Sequence, residues 1–119
     1  METRRETLDC QGTKISYHDD DGREIARAFL YVLKNDLHPE PFGFLEDVFV
    51  AADCRGQGLG TKINQEIIAL ARKLGCYKIV ACSRDERKKV HELYRGLGYE
   101  KHGVEFRMML RPKKKRGRK

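Results

Sequence analysis

Phe44-Leu45-Glu46-Asp47-Val48-Phe49-Val50-Ala51-Ala52-Asp53-Cys54-Arg55-Gly56-Gln57-Gly58-Leu59-Gly60 is the stretch on which the reading of this chain turns. Residues 44–50 are rich in β-formers and apolar throughout, except for two adjacent carboxylates, Glu46 and Asp47. Three glycines then alternate at 56, 58 and 60, and a helix pattern follows over residues 61–74. Ile63, Ile67, Leu70 and Leu74 recur at helical spacing there, with Ile68 and Ala71 beside them. A strand that feeds a glycine-rich turn and then a helix is suited to an anion. The first helical turn has free N–H groups and the positive end of the dipole, and glycine lets a phosphate approach the backbone. A P-loop is excluded, because no Lys-Ser/Thr follows the last glycine. A dinucleotide fingerprint is excluded by GxGxG spacing at mid-chain. A glycine-rich connection with no ligand stays open beside the anion-site reading.

Working outward, residues 14–33 read as a β-hairpin around the Asp-Gly signal of Asp19-Asp20-Asp21-Gly22-Arg23. A short helix over residues 25–33 is the alternative. Pro39, Pro41 and Gly43 make 35–43 a loop. Downstream, Gly75 stops the first helix, 77–82 reads as a strand, and 85–97 reads as a second helix closed by Gly98. Residues 99–101 and 104–110 are expected as a last pair of strands. Strand, helix, strand, helix, strand after a hairpin predicts an α/β (α+β) fold with mixed strand directions.

The 119 residues suit a single domain, expected over 1–110. Seven of the 25 basic residues lie in 111–119, which leaves 18 of each sign in 1–110. The body is therefore neutral, and the excess of +7 sits on a tail expected to be flexible. That tail suits weak, salt-dependent contact with nucleic acid or an acidic protein, or a solubilising terminus. No apolar run approaches the roughly 18 residues of a membrane helix, and the N-terminus lacks a signal-peptide pattern. Cys10, Cys54, Cys76 and Cys82 show no CxxC spacing, so no metal site is expected, and reduced thiols in a cytoplasmic protein are.

Arg55-Gly56-Gln57-Gly58-Leu59-Gly60 resembles the R/Q-x-x-G-x-G/A pyrophosphate signature of the GNAT superfamily of N-acetyltransferases. Leu93-Tyr94-Arg95-Gly96-Leu97-Gly98-Tyr99 resembles that family's late L-Y-x-x-x-G-F/Y motif, and the resemblance spans about residues 24–110. In motif, Leu45 to Val50 with Arg55-Gly56 is nearest to diamine (spermidine/spermine) acetyltransferases. The resemblance implies a mixed, mostly antiparallel sheet flanked by two main helices, with acetyl-CoA as co-substrate and a primary amine as acceptor. It implies Glu46 as base and Tyr94 as acid on the leaving sulfur. Backbone groups of Val48, Phe49 and Val50 would pair with the pantetheine arm. Arg55, Gly56, Gln57, Gly58, Leu59, Gly60 and Thr61 would hold the pyrophosphate.

Each role has a plainer counterpart. Glu46 also reads as an exposed or ion-paired carboxylate, and Tyr94 also belongs to the core stripe of its helix. Strand alternation sends Asp47 to the face opposite Glu46. Arg84, Arg87, Lys88 and Lys89 are candidates for the adenosine phosphate, or a solvated helix face. Cys82 at a strand end admits an acetyl-cysteine route, with no base beside it. Only about 13 residues precede Lys14, where the family usually has a strand and two helices. An open acceptor groove follows, which favours a large acceptor such as a protein lysine or N-terminus, or a pocket completed in a homodimer, over the polyamine-like small amine that the motif implies. Arg87 stands where the family often has Asn. A non-catalytic module that binds acyl-CoA or docks on RNA is the alternative function.

Overall fold

The computed structural model describes residues 1–83 and 87–112. Strand β1 (Gln11–His18) and strand β2 (Glu24–Leu33) form the antiparallel hairpin. The Asp19 carboxylate closes the turn between them by accepting the backbone N–H groups of Asp21 and Arg23 at 3.0 and 2.9 Å. Residues 25–33 are strand rather than helix because burial alternates there. Ala26, Ala28 and Leu30 are fully buried, while Arg27, Phe29 and Tyr31 face the other way. Strand β3 (Phe42–Val50) pairs antiparallel with β2, and strand β4 (Ile79–Ala81) pairs parallel with β3. The sheet order is β1-β2-β3-β4.

Helix α1 (Leu59–Lys73) makes the crossover between the two parallel strands and covers one sheet face. Its Ile63, Ile67 and Ala71 pack on Ala26, Ala28, Leu30 and Leu45 to form the core. Burying each of the larger side chains contributes about 1.5–3 kcal/mol. Helix α2 (Lys88–Gly96) follows, so the expected second helix is present, while residues 85 and 86 lie outside the described residues. Both helices stop by the same local device. Gly75 (φ +79°) and Gly98 (φ +100°) take the left-handed conformation, and paired bonds close each end: Cys76 N–H to Ala71 O with Gly75 N–H to Arg72 O, and Tyr99 N–H to Tyr94 O with Gly98 N–H to Arg95 O.

The expected strands at 99–101 and 104–110 do not form. A strand exists only in a ladder, and neither segment pairs with β4 or with the other among the described residues. Val104, Phe106, Met108 and Leu110 are left 74–91% exposed. Residues 1–10 are likewise exposed and irregular. The basic run at 113–119 lies outside the described residues.

Two aromatic hydroxyls couple this packing to alkaline pH. Burial first, and then the charge of Tyr94, push the Tyr99 phenol up to about 12. Burial followed by a hydrogen bond to Glu66 raises Tyr17 further. A raised folded value means that their stabilisation is complete below the unfolded tyrosine value near 10. It is lost as pH climbs toward about 12. Chemical denaturation from pH 8 to 11.5 is therefore expected to show stability level to about pH 10 and falling above it. A stability still level at the top of that range would contradict this.

Candidate functional site

β3 and β4 pair only at Gly43↔Ile79, Phe44↔Val80 and Leu45↔Ala81. Beyond that point β4 ends, while β3 runs on through residues 46–50 with no ladder partner on that side among the described residues. The sheet thus splits at Glu46. The backbone edge of Val48, Phe49 and Val50 leads from the split to the glycine loop.

At the far end of that edge, Val50, Cys54, Arg55, Gly56, Gly58, Leu59, Gly60, Thr61 and Leu93 line a hollow of about 210 Å³. The loop expected to hold a pyrophosphate is thus one concave surface, with Gln57 outside it. Gly56 (φ +81°) and Gly58 (φ +78°) occupy backbone conformations that favour glycine, and Gly58 caps α1. The first turn of α1 contains no acidic residue, so no acidic side chain of that turn competes for its N–H groups. The Arg55 guanidinium donates back to Val50 O at 3.1 Å, tying the loop to the strand.

A second hollow, of about 550 Å³, lies along β4 and α2. Tyr94, Cys82, Ser83, Tyr99 and residues 100–105 line it. Tyr94 neighbours Leu93, which lines the loop hollow, so α2 joins the two. Burial raises the Tyr94 phenol, the charges of Cys82 and Glu46 act in the same direction, and Arg87 opposes them. The tilted ring of Tyr99 sits 5.2 Å away, centroid to centroid. Tyr94 therefore holds a proton firmly. Both readings of this residue apply, since it also packs against the core.

Glu46 is exposed and lines neither hollow, yet its charge is felt by both Tyr94 and Cys82 across the split. Strand alternation fails at Asp47. The β2–β3 register runs Phe29↔Glu46 and then Arg27↔Phe49, so Asp47 and Val48 oppose the single residue Ala28. This bulge, with Asp47 at φ +50°, turns the Asp47 carboxylate onto Arg27. Arg27 and Phe29 lie on the side away from α1, and Asp47 joins Glu46 there. The register shift has no signal in composition or spacing.

The acetyl-cysteine route loses ground. Burial, then the hydrogen bond and charge of Glu105, then Glu46 push the Cys82 thiol up, away from the reactive thiolate. Arg87, Lys88 and Lys89 are exposed at the start of α2, and Arg84 lies outside the described residues. No group of metal-ligating side chains occurs among the described residues, and none of their helices is long and apolar enough to cross a membrane.

Two features escaped the sequence reading. Asn64 is the one fully buried polar side chain among the described residues. Its Nδ2 donates to Gly60 O at 2.8 Å just beneath the glycine loop, and its Oδ1 is unpartnered. Its position four residues before Ile68, on the apolar side of the helix, was the available signal. His91, on α2, and His102, beyond it, both line the larger hollow.

The acetyltransferase (GNAT) family model matches residues 3–99. A glucosamine 6-phosphate N-acetyltransferase of Trypanosoma brucei brucei is 31% identical over 99 residues, covering 82% of this chain and 65% of the relative. An aminoglycoside N(6')-acetyltransferase type 1 of Stenotrophomonas maltophilia is 34% identical over 80 residues, covering 66% and 52%. The chain thus spans between about half and two thirds of the length of these relatives. Among solved structures, a Trypanosoma brucei acetyltransferase superimposes with a TM-score of 0.77 at 28% identity, covering 83% of this chain and 69% of the other. A glucosamine-6-phosphate N-acetyltransferase of Arabidopsis thaliana, 22% identical, shares the fold with a TM-score of 0.76 over 84% of this chain and 67% of its own. The family model covers most of the chain, from the hairpin through α2, and the chain belongs to the acetyltransferase (GNAT) family.

Proposed function

We propose that this chain transfers the acetyl group of acetyl-CoA to a primary amine by direct attack of the amine on the thioester. The observation that carries the reading is the split beyond Leu45 and Ala81, which leaves a free strand edge between a carboxylate, a tyrosine and an anion-ready loop. In this reading acetyl-CoA supplies the activated acyl group. Residues 55–61 receive its pyrophosphate, and the backbone edge of Val48, Phe49 and Val50 aligns its arm.

An alkyl amine of lysine type arrives as an ammonium, and removing its proton near pH 7 costs about 4–5 kcal/mol. Glu46, exposed at the mouth of the split, accepts that proton directly or through a water. Tyr94, on the other side of the split, gives its proton to the departing sulfur. Its raised value keeps that proton in place until a thiolate develops.

The acceptor's chemistry follows from the larger hollow. Lys78, His91, Arg95, Lys101 and His102 line it, against Glu100 and Glu105. Lys78, Arg95 and Lys101 outnumber the two carboxylates, and they suit an amine on a molecule that also bears an anionic group, as glucosamine 6-phosphate does. This weighs against the diamine resemblance of the motif and favours the chemistry of the Trypanosoma relative.

The test is thiol release from acetyl-CoA with glucosamine 6-phosphate, spermidine and a lysine peptide as acceptors. Release with the sugar phosphate is expected, and Glu46→Gln should lower kcat by about 10²-fold with acetyl-CoA affinity unchanged. Tight acetyl-CoA binding without turnover of any amine would instead establish a binding module.

A further inference from the structure

Asp47 is the only non-glycine residue with positive φ among those described, and it forms half of the bulge that interrupts the β2–β3 register. Such a backbone persists only where its surroundings hold it. The holding group comes from the neighbouring strand. Arg27 donates from Nε to Asp47 Oδ2 at 2.9 Å and from Nη2 to Oδ1 at 3.3 Å, a two-pronged pair. The same guanidinium lies 4.5 Å over the ring of Phe49. One side chain therefore grips the residue before Val48 and the residue after it. Glu24 orients the grip from behind, accepting from Arg27 Nη1 at 3.3 Å while also pairing with Lys14.

We infer that Arg27 and Asp47 are positioning residues for the acetyl transfer proposed above: their clamp across Val48 holds the bulge at one position on β3 and thereby sets where the Val48 backbone and the Glu46 carboxylate face the split. The inference rests on that proposed function. Without the clamp the extra residue is free to move one place along the strand, and each one-residue slip turns side chains to the opposite face. Glu46 and the free edge are the parts of the site so displaced, whereas the glycine loop, anchored by Arg55 and α1, is not.

This separation can be measured without a known acceptor, using acetyl-CoA labelled isotopically at its acetyl carbonyl. Calorimetry reads the hold of the loop, and the infrared stretch of the labelled carbonyl reads the bulge. Wild-type protein is expected to bind acetyl-CoA and move the carbonyl band to lower frequency. Arg27→Gln and Asp47→Gly should bind within about threefold of wild type, because the glycine loop is anchored by Arg55 and α1 and not by the clamp, yet lose the band shift. Arg27→Lys should restore only part of it, lacking the fork. Asp47→Gly is the informative variant, since glycine accepts the positive φ and only the carboxylate is removed. Should either variant fold poorly, Asp47→Asn gives the same reading with a near-identical shape.

A wild-type band shift that survives in Arg27→Gln and Asp47→Gly overturns the clamp and leaves the proposed transfer standing. A wild type that binds acetyl-CoA without any shift overturns the clamp as well. A wild type that does not bind acetyl-CoA overturns the transfer and the clamp together.

Discussion

Gly58→Glu is expected to abolish acetyl-CoA binding, with a loss of 10³-fold or more, about 4 kcal/mol. Two effects add. Gly58 sits at φ +78° as the N-cap of α1, and any side chain there meets the left-handed penalty of about 1–2 kcal/mol. The carboxylate would then occupy the N–H groups that wild-type α1 leaves without an acidic neighbour. In the same hollow the carboxylate would also repel a pyrophosphate, since both are negative. Gly58→Ala separates the contributions, because nothing lies within 4 Å of its added Cβ and only the backbone penalty remains. Calorimetry on the three proteins checks this. Equal binding by Gly58→Glu and wild type would place the cofactor elsewhere.

Tyr94→Phe is expected to lower kcat by about 10³-fold while the KM for acetyl-CoA changes little, since a proton donor acts in the transition state and not on the bound ground state. The core stripe is preserved, because phenylalanine keeps the ring that packs against Tyr99 and the α1 side of the sheet. The pH profile distinguishes an acid from a packing residue. Burial holds the Tyr94 proton beyond the ordinary tyrosine value, so wild-type kcat should not fall on the alkaline side before about pH 10. A variant with full kcat and a lowered melting temperature would mark Tyr94 as structural only.

Much of the scaffold could be read from residue order because the signals were local. The hairpin came from Asp19 and Gly22, α1 from the Ile63–Ile67–Leu70 spacing, and both helix ends from Gly75 and Gly98. The loop hollow was legible for the same reason, its lining being nearly contiguous in the chain. What stayed hidden depended on register and on partners distant in sequence. Alternation along β3 separated Glu46 from Asp47, and only the offset against β2 brings them together. The apolar alternation of residues 104–110 resembled a strand, yet pattern cannot supply a neighbour, and the segment stays irregular. His91 and His102 met only once α2 was placed beside the residues that follow it.

The free edge of β3 also has a thermodynamic meaning. Beyond the bulge, residues 48–50 lack on one side, among the described residues, the hydrogen bonds that a neighbouring strand would provide. Any molecule that completes that ladder binds the native chain and not the unfolded one. Occupancy and folding are then linked by mass action, and a ligand at 100 times its Kd adds about 2.7 kcal/mol to stability. Under the function proposed above, the melting point of this protein therefore rises with the concentration of acetyl-CoA, and the filled protein is the harder one for a protease to open.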